Sequence, residues 1–383
     1  STVTFGIPIP QLTYGGALTK IAEYEQMLGV TKAYIAPFTN YTPQDFFFLI
    51  FCLMVGTASL PHILMRFFTT PTVREARKSV GWSLFFIFLL YFTAPAYAAF
   101  SKFNLMGIFA NAEGFQLAFK SIPAWMLAWG SIEGHQLVTI CGVKAESVQA
   151  ITQACQAKGF ATGFPYAELR LNNDMIVLST PSIAGMPIWV VGLVGAGGFA
   201  AALSTADGLL LAIANALSHD VYYKMIDPKA DTKSRLLVAK ILLVVVAVAA
   251  AFLARTKPSD ILSMVAWAFS IAAAGLFAPL VMGVWWKRTT NTAAVLGILA
   301  GFGVTMFYLV GNVYGFDFDR STKNQIDWFG VKAISAGVFG VPVSFLVIYL
   351  VSLVTKPPTQ EMQDFVDKLR YPKGTDEMDL QNH

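Results

Sequence analysis

The stretch from Ile183 to Ser218, IAGMPIWVVGLVGAGGFAAALSTADGLLLAIANALS, decides the fold class because it holds one charged side chain, Asp207. A helix crosses the roughly 30 Å hydrocarbon layer in about 20 predominantly apolar residues, and this run exceeds that length. Six further stretches follow the same pattern: Phe46–Met65, Ser79–Phe100, Leu236–Ala254, Ile261–Trp286, Thr292–Gly311 and Ala333–Val354. The first carries only the titratable His62, and the fourth in chain order only Lys240, near an end, where a lysine snorkels to the interface. In lipid, helices and closed barrels alone satisfy every backbone polar group, and runs without period-two alternation select helices. The sequence therefore predicts an all-α integral membrane protein with seven spans.

Composition agrees and removes other classes. Hydrophobic residues make up 55% of the 383-residue chain and charged residues 13%, against about 25% charged in ordinary soluble domains. The net charge of +4 is small, and no basic run is long enough to bind nucleic acid. The four histidines, His62, His135, His219 and His383, are scattered, and the chain has no HExxH, GxSxG or phosphate-binding glycine loop. The reading is not that of an enzyme.

The basic residues orient the spans. Of 27 Lys and Arg, 15 fall in or, for Lys240, beside the connections after the first, third and fifth spans and in the C-terminal tail, Arg66, Arg77, Lys229 and Lys287 among them. The positive-inside rule then places the C-terminus in the cytoplasm and residues 1–43 outside. The expected organisation is an extracytoplasmic segment (1–43) with a short amphipathic helix at Ala17–Leu28, two spans (44–100), an outer loop or small cap (101–181), five spans (182–355) and a cytoplasmic tail (356–383). The chain opens Ser1-Thr2-Val3 without Met or a charged leader, and its first strong span starts only near Phe46, which reads as a segment with sequence upstream. Cys141 and Cys155 both fall in the outer connection. There the residues allow either a disulfide closing a 15-residue loop or two free thiols on a short helix. Cys52, inside a span, reads as a packing residue.

Two segments carry polar groups where lipid would forbid idle ones. At 100° per residue, Gly197, Ala201, Ser204, Thr205, Gly208, Ala212 and Asn215 share one arc of the long run. The Ser204 and Thr205 hydroxyls and the Ala201 carbonyl could supply three oxygens to a hard cation. The same pattern also suits a small-residue packing stripe with its hydroxyls bonded back to their own helix. Asp207 borders that face, about 60° from Ser204, and suits ion tuning, proton carriage or an interhelical pair. The second segment is Gly56–Arg66, GTASLPHILMR. Pro61 cannot donate a hydrogen bond to the Thr57 carbonyl, so the helix either breaks in mid-membrane, freeing backbone groups for solute and ion, or merely kinks. His62 suits a gate or, better, a satisfied core histidine.

At these segments the sequence resembles the sodium:solute symporter family, in its acetate-permease-like branch. GTASLPHILMRFFTTPTVREARKSVGWSLFFIF (Gly56–Phe88) is similar to that family's sixth core helix, basic cytoplasmic loop and next helix, and AALSTADGLLLAIANALSHDVY (Ala201–Tyr222) to its eighth core helix. GIPIPQLTYG (Gly6–Gly15), APFTNYTPQDFF (Ala36–Phe47) and the long outer loop extend the likeness over nearly the whole chain. The resemblance implies a partial leucine-transporter-like inverted-repeat fold, with the second repeat and two further helices. It implies that Ala201, Ser204 and Thr205 ligate sodium and that Gly56, Thr57 and Ser59 line the substrate pocket. Nothing here matches the family's first core helix, which supplies the remaining sodium ligands, so the absent N-terminal helices of the same protein become expected partners. The implied function is sodium-coupled symport of a small monocarboxylate such as acetate across a bacterial inner membrane, with Asp207 as an ion-coupling candidate. A membrane sensor retaining the fold and a non-coupled channel are the alternatives.

Overall fold

The computed structural model describes residues 10–39, 41–65, 70–132, 136–256, 259–315 and 326–370, and side chains from Tyr14 to Lys368 within them. Arg66, His135 and His383, named above, lie outside the described residues. In chain order the helices begin with α1 (Pro10–Met27), α2 (Pro43–Ser59), the single turn α3 (Pro61–Leu64) and α4 (Val73–Ala110). The middle of the chain interleaves β1 (Gln116–Ala118), α5 (Ala124–Gly130), β2 (Val138–Ile140), β3 (Val143–Lys144), α6 (Val148–Ala157), β4 (Gly163–Pro165), β5 (Leu169–Leu171) and α7 (Ile176–Ile183). Then follow α8 (Ile188–Asn215), α9 (Thr232–Arg255), α10 (Ile261–Ala272), α11 (Ala278–Trp285), α12 (Asn291–Val313), α13 (Gly337–Val354) and α14 (Gln360–Arg370).

Short polar residues start many of these helices by taking up an orphan backbone N–H. Thr42 Oγ1 accepts from the Asp45 N–H at 3.1 Å while Asp45 Oδ2 accepts from the Thr42 N–H at 3.3 Å, a reciprocal capping box before α2. Asp231, Asp260 and Thr290 cap α9, α10 and α12 in the same way. Among the described residues, six helical stretches are long and apolar enough to cross a membrane: Val73–Ala110, Ile188–Ile226, Thr232–Arg255, Ile261–Trp285, Asn291–Val313 and Ala333–Val354.

Some boundaries differ from the sequence expectation for local reasons. The stretch Phe46–Met65 is not one helix: α2 covers 17 residues and stops at Ser59, and Leu60 is extended (φ −69°, ψ 118°) before Pro61 restarts the chain as α3. A residue preceding proline is driven out of the helical region, while proline itself fits the first turn of a new helix. The long run does not start at Ile183, which ends α7. Pro187 precedes α8, and the helix continues beyond Asn215 as a π-helical segment, Ala216–Ile226. Helix α1 starts at Pro10, earlier than the expected Ala17. Helix α4 runs past Phe100 to Ala110, and its 38 residues make it about 57 Å long, well over the hydrocarbon thickness. Its buried positions, Ala96, Ala99, Ser101, Leu105, Met106 and Phe109, all lie in the C-terminal half.

The chain divides into two compact units, Ser1–Asn40 with Lys78–Ala206, and Tyr41–Arg77 with Asp207–His383. In the first, the end of α4 enters a folded cap with a mixed core of Phe109, Leu117, Trp125, Met126, Val138, Ile140, Ile151 and Phe164. The cap holds two small antiparallel sheets, β1–β4 and β3–β2–β5, the latter pairing Thr139 with Lys144 on one side and with Arg170 on the other. Cys141 and Cys155 are joined by a disulfide with Cα atoms 5.2 Å apart, which resolves the open choice in favour of the bond. Closing a loop of that length contributes roughly 3 kcal/mol in the chain-entropy account.

In the second unit α12 and α13 pack closely because glycine opens the seam. A Cβ on Gly301 would overlap the Ala274 carbonyl oxygen, and one on Gly340 would overlap Thr305 Oγ1. Ala273–Phe277, between α10 and α11, is π-helical. Pro279 follows four residues after Gly275 and cannot donate to its carbonyl, so the regular ladder is interrupted there. Tyr308 is fully buried, donates to the Val331 carbonyl and packs at a tilt against the Trp328 and Phe339 rings.

Candidate functional site

The α2 break is built by residues that cannot continue a helix and by one that lets another backbone approach. Gly56 is buried, and a Cβ there would stand 2.5 Å from the Phe269 carbonyl oxygen of α10, so only glycine permits the contact. Ser59 is 3% exposed. Its hydroxyl proton faces three carbonyls, Gly56 at 3.0 Å, Val55 at 3.1 Å and Ala272 at 3.2 Å, the last directly before the π-helical segment. Thr57 is exposed and donates to the Leu53 carbonyl at 2.6 Å. Within this unit, then, Gly56 and Ser59 fasten the broken helix to α10, and Thr57 alone of the three stands on open surface.

Neighbouring polar groups reinforce the junction. Cys52 is buried and its thiol donates to the Ser335 carbonyl at 3.5 Å, while Ser270 donates to the Ile334 carbonyl at 2.8 Å. Cys52 is thus a packing residue with a weak polar tie. His62 sits half-buried in α3. Lys332 reaches Asp45 Oδ2 at 3.4 Å and lies over the Tyr41 ring at 4.4 Å, which anchors the entry of α2. Neither the π-helical segment nor the Ser59–Ala272 bond was anticipated from sequence. Pro279 was the available signal, and it marks an interruption without saying what packs against it.

The second group lies on α8. Ala201, Ser204, Thr205 and Asp207 are all exposed. Thr205 Oγ1 donates to the Ala201 carbonyl at 3.1 Å, so one of the two bland expectations, back-bonding to the same helix, is realised at this residue. A Cβ on Gly197 would meet nothing within 4 Å among the described residues. The oxygen pair remains compatible with a hard cation. Neighbouring ligands of a six-coordinate ion at roughly 2.3–2.6 Å sit about 3.3–3.7 Å apart, so Thr205 and Ala201, now 3.1 Å apart, would open slightly to share one. Two hydroxyls and one carbonyl are hard oxygen donors and would fill about half of a six-ligand shell. Asp207 is two residues past Thr205 and makes no hydrogen bond or ion pair among the described residues.

Residues 147–301, which include all of α8, match the model of the sodium:solute symporter family. An uncharacterized symporter of Cupriavidus necator is 45% identical over 329 residues, covering 85% of this chain and 44% of that protein. Over residues 147–301 the chain is similar to the sodium:solute symporter family. A monocarboxylic acid transporter of Corynebacterium glutamicum is 25% identical over 352 residues, covering 90% of this chain and 52% of that protein. The chain therefore spans about half the length of the curated relatives it matches. No solved structure matches it. The family match contains Ala201, Ser204, Thr205 and Asp207 and begins after Gly56, Thr57 and Ser59.

Proposed function

We propose that this chain forms part of a secondary active transporter that couples sodium to the symport of a small monocarboxylate such as acetate. The observation that carries the reading is α8 itself. A segment inside the family match presents two hydroxyls, a carbonyl and a carboxylate on exposed helix surface, where a membrane protein keeps polar groups only for use. The C. glutamicum relative supports the solute class, since its name states monocarboxylic acid transport. Sodium is cargo in this scheme. It would sit on the oxygens of Ala201, Ser204 and Thr205, the remaining ligands coming from the first core helix that the family resemblance implies.

Mechanistically, the broken helix supplies the other half of the device. The interruption at Leu60 leaves the last carbonyls of α2 without helical partners, and half-helix ends of this kind hold solutes and ions in transporters. Thr57, exposed beside the break, is the side chain best placed for solute. Gly56, Ser59 and the adjoining π-helical segment would keep the interruption in register while the bundle rocks. The site would lie in a bacterial inner membrane, with the cap outside and the C-terminus in the cytoplasm. Uptake of labelled acetate into right-side-out vesicles carrying the full-length protein should require an inward sodium gradient. Equal uptake with choline in place of sodium would refute the coupling.

A further inference from the structure

A second set of polar groups, unused by that scheme, converges where α4 enters the cap. Tyr34, Lys102, Tyr166, Leu105, Leu169 and Ile176 line a cavity of about 390 Å³ there. Behind its wall Glu25, 4% exposed, accepts the Tyr34 N–H on both oxygens, at 3.0 and 3.1 Å, and the Lys102 ammonium on Oε1 at 2.8 Å. The pair is asymmetric: the Lys102 side chain is 22% exposed and that of Glu25 5%. The carboxylate is therefore spent inside the fold, and the cation stands at the cavity, over the Tyr34 ring at 4.5 Å.

An ammonium has three N–H donors, and Glu25 takes one. Burial pushes the Tyr166 phenol above its ordinary range, with Glu25 adding to the effect, so its hydroxyl stays protonated and can donate at neutral pH. No Asp or Glu lines the cavity. Leu105, Leu169 and Ile176 are among its apolar lining residues. A structural ion pair joining α1 to α4 would explain Glu25 and Lys102, but not the placement of the cation beside a cavity that also holds a phenol and apolar side chains.

We propose that this cavity binds a small monocarboxylate, its carboxylate on the Lys102 ammonium and the Tyr166 hydroxyl and its alkyl part against Leu105, Leu169 and Ile176. The site is separate from α8 and from the α2 break, and it takes its substrate class from the transport reading. On the orientation proposed above it opens outside the membrane, as a place where solute is held before transport.

The test is equilibrium binding of radiolabelled butyrate to the purified full chain in detergent, with choline replacing sodium. Saturable binding is expected in the wild type, and Tyr166→Phe should weaken it about threefold. Lys102→Met should weaken it at least tenfold, but this change strips buried Glu25 of its cation and can unfold the cap. Ile176→Trp therefore carries the decision, because it fills the cavity from the apolar wall and leaves the ion pair intact. Leu169→Trp replaces it should Ile176→Trp melt early. Loss of binding with an unchanged melting curve supports the site. Absent wild-type binding, or wild-type affinity in the filled variant, overturns it. Sodium-driven uptake reads the transport proposal separately: binding without uptake sinks only the latter, and uptake without binding sinks only this site.

Discussion

Three oxygens on one turn of α8 and a carboxylate just beyond them carry the proposed coupling. Ser204→Ala and Thr205→Ala each remove one oxygen while keeping a small residue, and both positions are exposed, so neither creates a cavity. Each change should raise the sodium concentration for half-maximal uptake by the full-length protein about tenfold, the scale of one charge-assisted contact, with melting temperature unchanged. An unmoved sodium dependence in both variants would falsify the ligand assignment. Asp207→Asn distinguishes three roles in the same assay. Weaker sodium dependence at every pH marks direct attraction, a flattened pH profile marks proton carriage, and a lowered melting point alone marks scaffold. We expect the first, because Asp207 makes no ion pair among the described residues and stands about 60° round the helix from Ser204. The hydroxyl arc was legible in the sequence from periodicity alone. The Thr205–Ala201 bond was legible only as one of two possibilities, because a hydroxyl can satisfy itself locally or turn to an ion with no change of sequence.

Pairs of elements make sharper demands on single residues. In α12, Gly301 and Gly303 sit two positions apart, yet a Cβ on Gly301 would overlap the Ala274 carbonyl oxygen and one on Gly303 would meet nothing within 4 Å. Gly301→Ala should therefore destabilise by about 1–3 kcal/mol through overpacking, whereas Gly303→Ala should be neutral or stabilise by about 1 kcal/mol through helix propensity. Melting curves in detergent compare the two, and equal effects would show that the seam is looser than described. The cap gives a second element-scale prediction. The Cys141–Cys155 bond should survive isolation without reductant, seen by mass spectrometry as a linked peptide pair, and reduction should lower the cap's melting point. Two freely alkylated thiols in unreduced protein would contradict it. The sequence placed both cysteines in one connection, but the bond depends on a strand and a helix returning to the same place. Residue spacing alone does not specify that return.

At the scale of the whole molecule the orientation can be tested directly. Lys120 is exposed in the cap and Gln360 opens α14, on opposite sides of the membrane in the proposed topology. A membrane-impermeant maleimide should label Lys120→Cys in intact cells and Gln360→Cys only after permeabilisation. The reverse pattern would invert the topology and place the cap cavity in the cytoplasm. The cap has its own apolar core and sheets, while most of the surface of α8 and α9 is apolar and exposed, as suits helices that meet lipid or other helices.

By itself, the sequence determined the membrane class, most helical runs, the hydroxyl face of α8 and a disturbance of the helix at Pro61, broken or kinked. Each of these depends on residues within a few turns of one another: hydropathy over a window, a 100° period, a proline that cannot donate. Tertiary structure alone decided that Gly56 and Gly301 are points of backbone contact and that Ser59 reaches Ala272. It alone decided that Cys141 meets Cys155 and that Glu25 turns Lys102 toward a cavity. Those relations join residues tens to hundreds of positions apart, and no local pattern encodes which distant backbone will occupy the space that a glycine leaves open.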